Sequence, residues 1–420
     1  MSLNFLKNKI FARQSDAAAK QKRNYYVVED FLWLPVMFYH SIGVEPYVPE
    51  TKTELWLLIY FGFNLINTTI VLLTELWFMV VSFRDKKSIL ETCIIVGYVS
   101  FVVVGFLKIF TVLIKKQKMT KLVRRLKASF PSQNEEEQKK YNVKYYLNRS
   151  NLYMKSFGCL LAIMVSTHCS TAFIIYAYRR WWLRVPNAQQ ILPFFDMAPW
   201  NWRQSWIYYP TYLSQCLAGY TVTCGNISGD LMIFASSFLI IMQFERLCKG
   251  LKELNVRNNK EADGALKDLR ELRTLVALHI DILELIDVMN EVFGIPLLLN
   301  FMASSILVCL LGFQLTLEFS PEQFGKQLLL LISALVEIYL LCSFSQMLID
   351  ASENVSFAAY EMNWTEADRT GKKVLIVLML RAQRPVCLKA TVLLDVSIET
   401  MSAFLRMSYR FFCAIRTMYG

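Results

Sequence analysis

The sequence predicts an all-α membrane protein with seven transmembrane helices, its N-terminus cytosolic and its C-terminus extracellular. Three observations carry this expectation. Hydrophobic residues make up 55% of the 420 positions and charged ones only 19%, below the roughly 25% of an average soluble protein. Apolar stretches of about 18 residues or more, long enough to cross a bilayer core, recur along the chain. The basic residues fall unequally on the loops between those stretches, which orients the chain. The net charge of +11 therefore reads as a topology bias and not as a nucleic-acid footprint.

Residues 1–54 are expected to form a cytosolic N-terminal segment, because the first 24 hold six basic residues and no apolar secretory core. Within it, 31–44 is apolar but contains Pro35 and is too short to span, so it is expected to be interfacial. Four spans then fill 55–244: Leu55–Val81, Cys93–Ile114, Ser156–Tyr178 and Trp206–Phe244. Two more fill 292–349, as Val292–Leu317 and Gln327–Ile349, and Thr391–Tyr419 within 391–420 is the seventh. A fully helical Trp206–Phe244 would reach about 58 Å against a hydrocarbon core of about 30 Å. Ahead of the fifth span, Leu269, Leu272, Val276, His279, Leu283 and Ile286 recur at helical spacing, a buried stripe on a mainly polar helix. Helices 4, 5 and 6 are therefore expected to project beyond the membrane on one side, with 245–291 as cytosolic extensions of helices 4 and 5. Together with 350–390 they would form an assembly (anchor) domain.

The loops assigned to the cytosol carry 32 Lys and Arg, and those assigned to the outside carry eight. N-x-S/T sequons begin at Asn67, Asn148, Asn226, Asn354 and Asn363. None falls in an expected outer loop, where a glycan would be added. The ten cysteines form no C-x-x-C pair and sit mostly in apolar runs, as small buried hydrophobes do. No hydrolase, zincin, phosphate-loop or dinucleotide motif is present, and His40, His168 and His279 share no ligand spacing. No enzyme activity, cofactor or metal is expected.

Two constellations point to function. Along the last span, Asp395, Glu399, Ser402, Arg406, Tyr409, Cys413 and Arg416 recur at alternating spacings of four and three, one helical face. Val392, Ile398, Phe404, Leu405, Phe411 and Phe412 occupy the rest. Such a stripe lines water or meets a polar partner such as Glu75, Asp230 or Glu337, because lipid exposure is too costly. The second constellation is a set of aromatic and aliphatic residues in the outer halves of helices 2, 3, 4 and 6. It comprises Tyr98, Val99, Val165, His168, Ala172, Tyr209, Tyr212, Leu213, Cys216, Leu335 and Tyr339, with Pro210 able to open helix 4. These either pack helices or wall a pocket for a small, mostly apolar ligand. The loop Lys115–Asn151 reads as a solvated basic loop that obeys the topology rule, with binding of acidic membrane lipid or of a partner as the alternative.

The chain resembles the insect odorant receptors. The stretches FAAYEMNW (Phe357–Trp364), KKVLIVLMLRAQRP (Lys372–Pro385) and SYRFF (Ser408–Phe412) look like that family's signature in order and spacing. IGVEPY (Ile42–Tyr47) is similar to its N-terminal motif, with Val44 and Glu45 as departures, and LPFFDMAPWNW and Asp230 also fit. The resemblance implies a ligand-gated, non-selective cation channel for small volatile molecules. Four subunits would surround one pore lined by the last helices, an odorant-binding chain assembling with a shared co-receptor subunit in the plasma membrane of a sensory dendrite. By position, Tyr409 matches the family's tyrosine, and Phe412, Ile415 and Arg416 fall at the outer gate. Ile415 and Arg416 stand where the related gustatory receptors carry Gln-Phe, and the short link between helices 4 and 5 is unlike the co-receptor's insertion. The resemblance thus implies a ligand-tuning subunit. Two other classes remain: a seven-helix receptor signalling through G proteins, which needs the N-terminus outside, and a secondary transporter, which needs an inverted repeat.

Overall fold

The computed structural model describes residues 24–48, 55–84, 89–185, 190–194, 200–203, 205–254, 262–317, 321–392 and 394–419. Residues 1–23 of the expected N-terminal segment, Lys86, Lys87, Arg257, Lys260 and residues 195–199 of the LPFFDMAPWNW stretch lie outside these. The order of elements is α1 (Val28–Ser41), α2 (Leu55–Arg84), α3 (Ile89–Ile114), α4 (Lys116–Ser129), α5 (Glu135–Lys140) and α6 (Val143–Ala177). A π-turn (Tyr178–Trp182) follows, then α7 (Tyr208–Glu253), α8 (Ala262–Leu317), α9 (Pro321–Glu361), α10 (Arg369–Ala382), a hairpin of β1 (Lys389–Ala390) and β2 (Leu394–Asp395), and α11 (Ile398–Tyr419).

Among the described residues, six helices, α2, α3, α6, α7, α8 and α9, are long and apolar enough to cross a membrane. α11 has 22 residues, about 33 Å of helix, but is amphipathic. The overshoot expected of helices 4, 5 and 6 is present: α7, α8 and α9 run 46, 56 and 41 residues, roughly 60–85 Å.

α7 is the axis of the bundle. Every residue from Thr221 to Phe244 is buried, and α1, α2, α3, α6, α8 and α9 all pack on it. Its composition explains this position: Gly219, Gly225 and Gly229 let neighbours approach, while Asn226, Ser228 and Asp230 need protein partners that lipid cannot supply. A Cβ at Gly225 would lie 2.5 Å from Ile109 Cδ1, and one at Gly105 would lie 2.7 Å from Val222 Cγ1, so α3 and α7 touch through these two glycines. α2 is the opposite case. Leu58, Phe63, Ile66, Leu73 and Trp77 are exposed, an apolar surface suited to lipid.

Three expectations are corrected. The loop Lys115–Asn151 is not a solvated basic loop. Met119, Leu122, Val123 and Leu126 recur at i, i+3, i+4 and i+7, giving α4 a face that is buried, while Lys118 and Arg125 pair with Glu291 and Glu284 of α8. The last helix starts at Ile398, not near Thr391. Thr391 has φ +65° in the turn of the hairpin, and Ser397 Oγ accepts the Thr400 N–H at 3.2 Å, a side-chain cap. Asp395 therefore sits in β2, 3.9 Å from Lys389 Nζ, and not on the helix. Pro210 opens nothing: it stands in the first turn of α7, where its missing N–H costs no hydrogen bond. The apolar run 31–44 forms α1, with Phe31, Leu32, Leu34 and Tyr39 buried and Trp33 exposed.

Candidate functional site

Between α2, α3, α6, α7 and α9 lies a cavity walled mainly by apolar side chains, the kind of lining that small-ligand sites have. Its walls follow helical spacing: Thr68, Val71 and Glu75 on α2; Tyr98, Phe101 and Val102 on α3; Met164, Val165 and His168 on α6; Gln215, Ala218, Gly219, Val222 and Thr223 on α7. Leu330 of α9 closes one side, and Phe194, from the segment ahead of α7, closes the end nearest that segment. Phe194 is held by two rings, with Tyr98 edge-on at 5.8 Å and His168 stacked at 6.4 Å, and Tyr98 meets His168 edge-on at 5.9 Å. Its backbone N–H donates to Gln215 Oε1 at 3.4 Å.

Of the residues singled out in the sequence, Tyr98, Val165 and His168 line this cavity. Val99 is buried beside it, packed on Ile95 and near Leu72 and Leu76, and Ala172 is buried one turn beyond His168. Tyr212 donates its hydroxyl to the Cys169 carbonyl, and Cys216 lies against the Cys169 thiol. Leu335 is half-buried, and Tyr209, Leu213 and Tyr339 are on the outer surface of the bundle. The sequence pointed to helix 4 through its tyrosines. The wall is instead the small-residue face of that helix, Ala218, Gly219 and Val222, which leaves room for a ligand. The lone charge of the first span, Glu75, was the signal for α2.

On α11, Phe404 and Ser408 are buried against α8, Phe404 edge-on to Phe301 at 6.2 Å and Ser408 Oγ 3.3 Å from Ser305 Oγ. Phe412, Cys413 and Ile415 are half-buried. Glu399, Ser402, Arg406, Tyr409 and Arg416 are exposed, so the polar face is left uncovered by the chain's own helices. Of the intramembrane acids expected to meet it, Glu75 lines the cavity, and Asp230 and Glu337 are engaged with Lys108. Lys108 Nζ of α3 donates to Asp230 Oδ1 and Oδ2 at 2.8 Å and to Glu337 Oε1 at 2.9 Å, joining α3, α7 and α9 at a site almost closed to solvent. Two of the sequons serve packing as well: Asn67 Nδ2 donates to the Ser214 carbonyl at 2.9 Å, and Asn226 Nδ2 to the Phe101 carbonyl at 3.4 Å.

A second, more polar cavity adjoins the first. Phe101 and Leu330 line both, and Asn226, Asn300, Ser304, Ser333 and Glu337 line the second alone. Asn300 and Ser304 belong to α8, whose next residues, Phe301 and Ser305, meet α11.

Comparison with known proteins agrees with this architecture. The sequence profile of the family described as 7tm Odorant receptor matches residues 89–409. Odorant receptor 67a of Drosophila melanogaster is 52% identical over 96% of this chain and 99% of its own length. Odorant receptor 85b of the same organism is 35% identical over 91% of this chain and 97% of its own. The solved structure of the olfactory receptor OR5 from the insect Machilis hrabei, in complex with eugenol, superposes with a TM-score of 0.78 at 15% identity. It covers 92% of this chain and 98% of that one.

Proposed function

Since the chain belongs to the 7tm Odorant receptor family, we propose that it is the odorant-binding subunit of a heteromeric, ligand-gated, non-selective cation channel for small volatile molecules. Its partner is a shared co-receptor subunit, four subunits surround one pore, and the assembly works in the plasma membrane of a sensory dendrite. The N-terminus is cytosolic and the C-terminus extracellular, as the distribution of basic residues suggests.

The uncovered polar face of α11 carries this reading. A membrane helix that leaves Glu399, Arg406 and Arg416 exposed demands water or another subunit along that face. Lys108, Asp230 and Glu337 satisfy one another and Glu75 lines the cavity, so the demand is not met among the described residues. Four copies of such a face around an axis supply both water and partners. The pore residues are then Glu399, Ser402, Arg406, Tyr409, Phe412, Cys413, Ile415 and Arg416, with Asp395 at the entrance. The cavity around Tyr98, Val165 and His168 is the ligand site. A ligand there presses on Phe101 and Leu330, the wall shared with the polar cavity, and so on α8 beneath α11. Only a ligand that prefers the open arrangement shifts the population.

The test is co-expression with the co-receptor and recording of odour-evoked current. Glu399→Ala and Arg406→Ala are expected to change ion selectivity or conductance, and Ala218→Trp, which fills the cavity, to abolish the response while surface delivery persists. Unaltered permeation in both pore variants removes α11 from the pathway. An epitope tag at residue 1 that stains intact cells overturns the orientation and favours a G-protein-coupled receptor.

A further inference from the structure

The cavity's polar atoms are almost all accounted for within the chain. Thr68 Oγ1 donates to the Asn64 carbonyl and Thr223 Oγ1 to the Gly219 carbonyl, both at 2.7 Å, and Tyr98 and Gln215 are engaged. Two atoms are not: Glu75 Oε2 and His168 Nε2 have no hydrogen-bond partner, although their residues are only 2% and 3% exposed. They stand on different helices, α2 and α6, and line the same space. The Nδ1 of His168 lies 2.9 Å from the Met164 carbonyl. A carbonyl can only accept, which places a proton on Nδ1 and makes Nε2 of the neutral ring an acceptor. A carboxyl oxygen of Glu75 is likewise an acceptor when ionised, and when protonated the group keeps acceptor capacity and gains one O–H donor.

Resting on the reading of this cavity as the ligand site, we infer that the ligand class is hydroxyl-bearing: a small alcohol or phenol whose O–H donates to His168 Nε2 or Glu75 Oε2. The apolar remainder of the molecule packs against Val71, Phe101, Val165 and Val222. An ether, ester or ketone of similar size brings lone pairs but no donor, so it leaves His168 Nε2 unmet among the cavity's apolar walls. The cost of an unmet buried polar group makes the hydroxyl compound the better ligand by about tenfold or more. A site built for a hydroxyl in this way rejects the analogue lacking it more strongly than a plain apolar pocket rejects a change of one carbon.

The experiment uses matched pairs, hexyl alcohol against hexyl methyl ether and benzyl alcohol against benzyl methyl ether, on cells expressing the full chain with the co-receptor. The alcohols are expected to act at concentrations at least about tenfold below their ethers. That preference is expected to shrink several-fold in His168→Phe or Glu75→Leu. Equal potency of alcohol and ether on the unmodified chain overturns the inference, and so does a preference that both His168→Phe and Glu75→Leu leave intact. Because the wild-type comparison needs no variant, a folding defect in either substitution does not blunt the test. The Ala218→Trp arm separates the two levels. Loss of every response there, with equal wild-type potencies, removes the hydroxyl inference alone, whereas unaltered responses remove the cavity as ligand site and the inference with it.

Discussion

Replacing Lys108 by Met removes one ammonium and leaves two carboxyl groups facing each other where lipid and packed side chains exclude water. In the intact chain, Nζ makes three contacts of 2.8–2.9 Å to Asp230 and Glu337. Each pair at that distance interacts by about 6 kcal/mol at an effective dielectric constant of about 20, largely offset by the cost of dehydrating the ions. The asymmetry decides the outcome. Deleting one partner of a buried ion pair costs about 3–5 kcal/mol, because the remaining charge is stranded, and total stabilities are about 5–15 kcal/mol. Lys108→Met is therefore expected to lose much of its folded population, read as lower surface delivery and an earlier melting transition of the detergent-solubilised, fluorescently tagged chain. Replacing Lys108, Asp230 and Glu337 together by Leu is expected to recover most of that loss, since an apolar trio strands nothing. Melting of Lys108→Met with the wild type refutes the reasoning. So does an Asp230→Asn substitution that costs as much in the Lys108→Met background as in the native one, because a coupled site must show non-additivity.

Three further outcomes are expected. Gly225→Leu should separate α3 from α7, because even a Cβ there lies 2.5 Å from Ile109 Cδ1; overpacking of this kind costs about 1–3 kcal/mol, seen as a lower melting temperature that Ile109→Ala partly restores. Ser345→Ala should loosen the hairpin ahead of α11, since Ser345 Oγ accepts the Leu388 N–H at 2.9 Å and donates to the Val396 carbonyl at 2.6 Å. The loss of about 1–3 kcal/mol is read as faster hydrogen exchange at Leu388 than in the wild type. His279, on the part of α8 that precedes the apolar span, is held neutral by burial and then by Arg381, its pKa lowered from 6.5 to about 4. The folded form thus resists the proton that the unfolded form accepts, so stability is whole above pH 6.5 and falls as pH drops from 6.5 towards about 4. The His279→Leu variant should show a shallower decline in melting temperature over that window, and equal slopes would exclude His279 as the titrating group.

What the amino-acid pattern could and could not resolve follows from the ranges of the forces involved. Span existence was legible because about 18 apolar residues in a row have few other uses; the projection of α7 was legible in the length of Trp206–Phe244, and that of α8 in the helical stripe from Leu269 to Ile286. The outer-surface tyrosines were not separable from the cavity wall by pattern alone. Tyr209 and Leu213 lie on α7 as Ala218 and Gly219 do, but periodicity gives a face without naming the neighbour it meets. In a membrane the outward face is apolar too, so the contrast that identifies a buried stripe in water is missing. Asp395 failed for the opposite reason: its spacing to Glu399 fits a helix, but Thr391 at positive φ and the pairing of Lys389 with Asp395 depend on contacts with Asn290 and Ser345 from distant helices. Lys108 was visible only as a charge near a span's end. Its role needs Asp230 and Glu337, 122 and 229 residues away, and once they meet, neither is available to the polar stripe of α11.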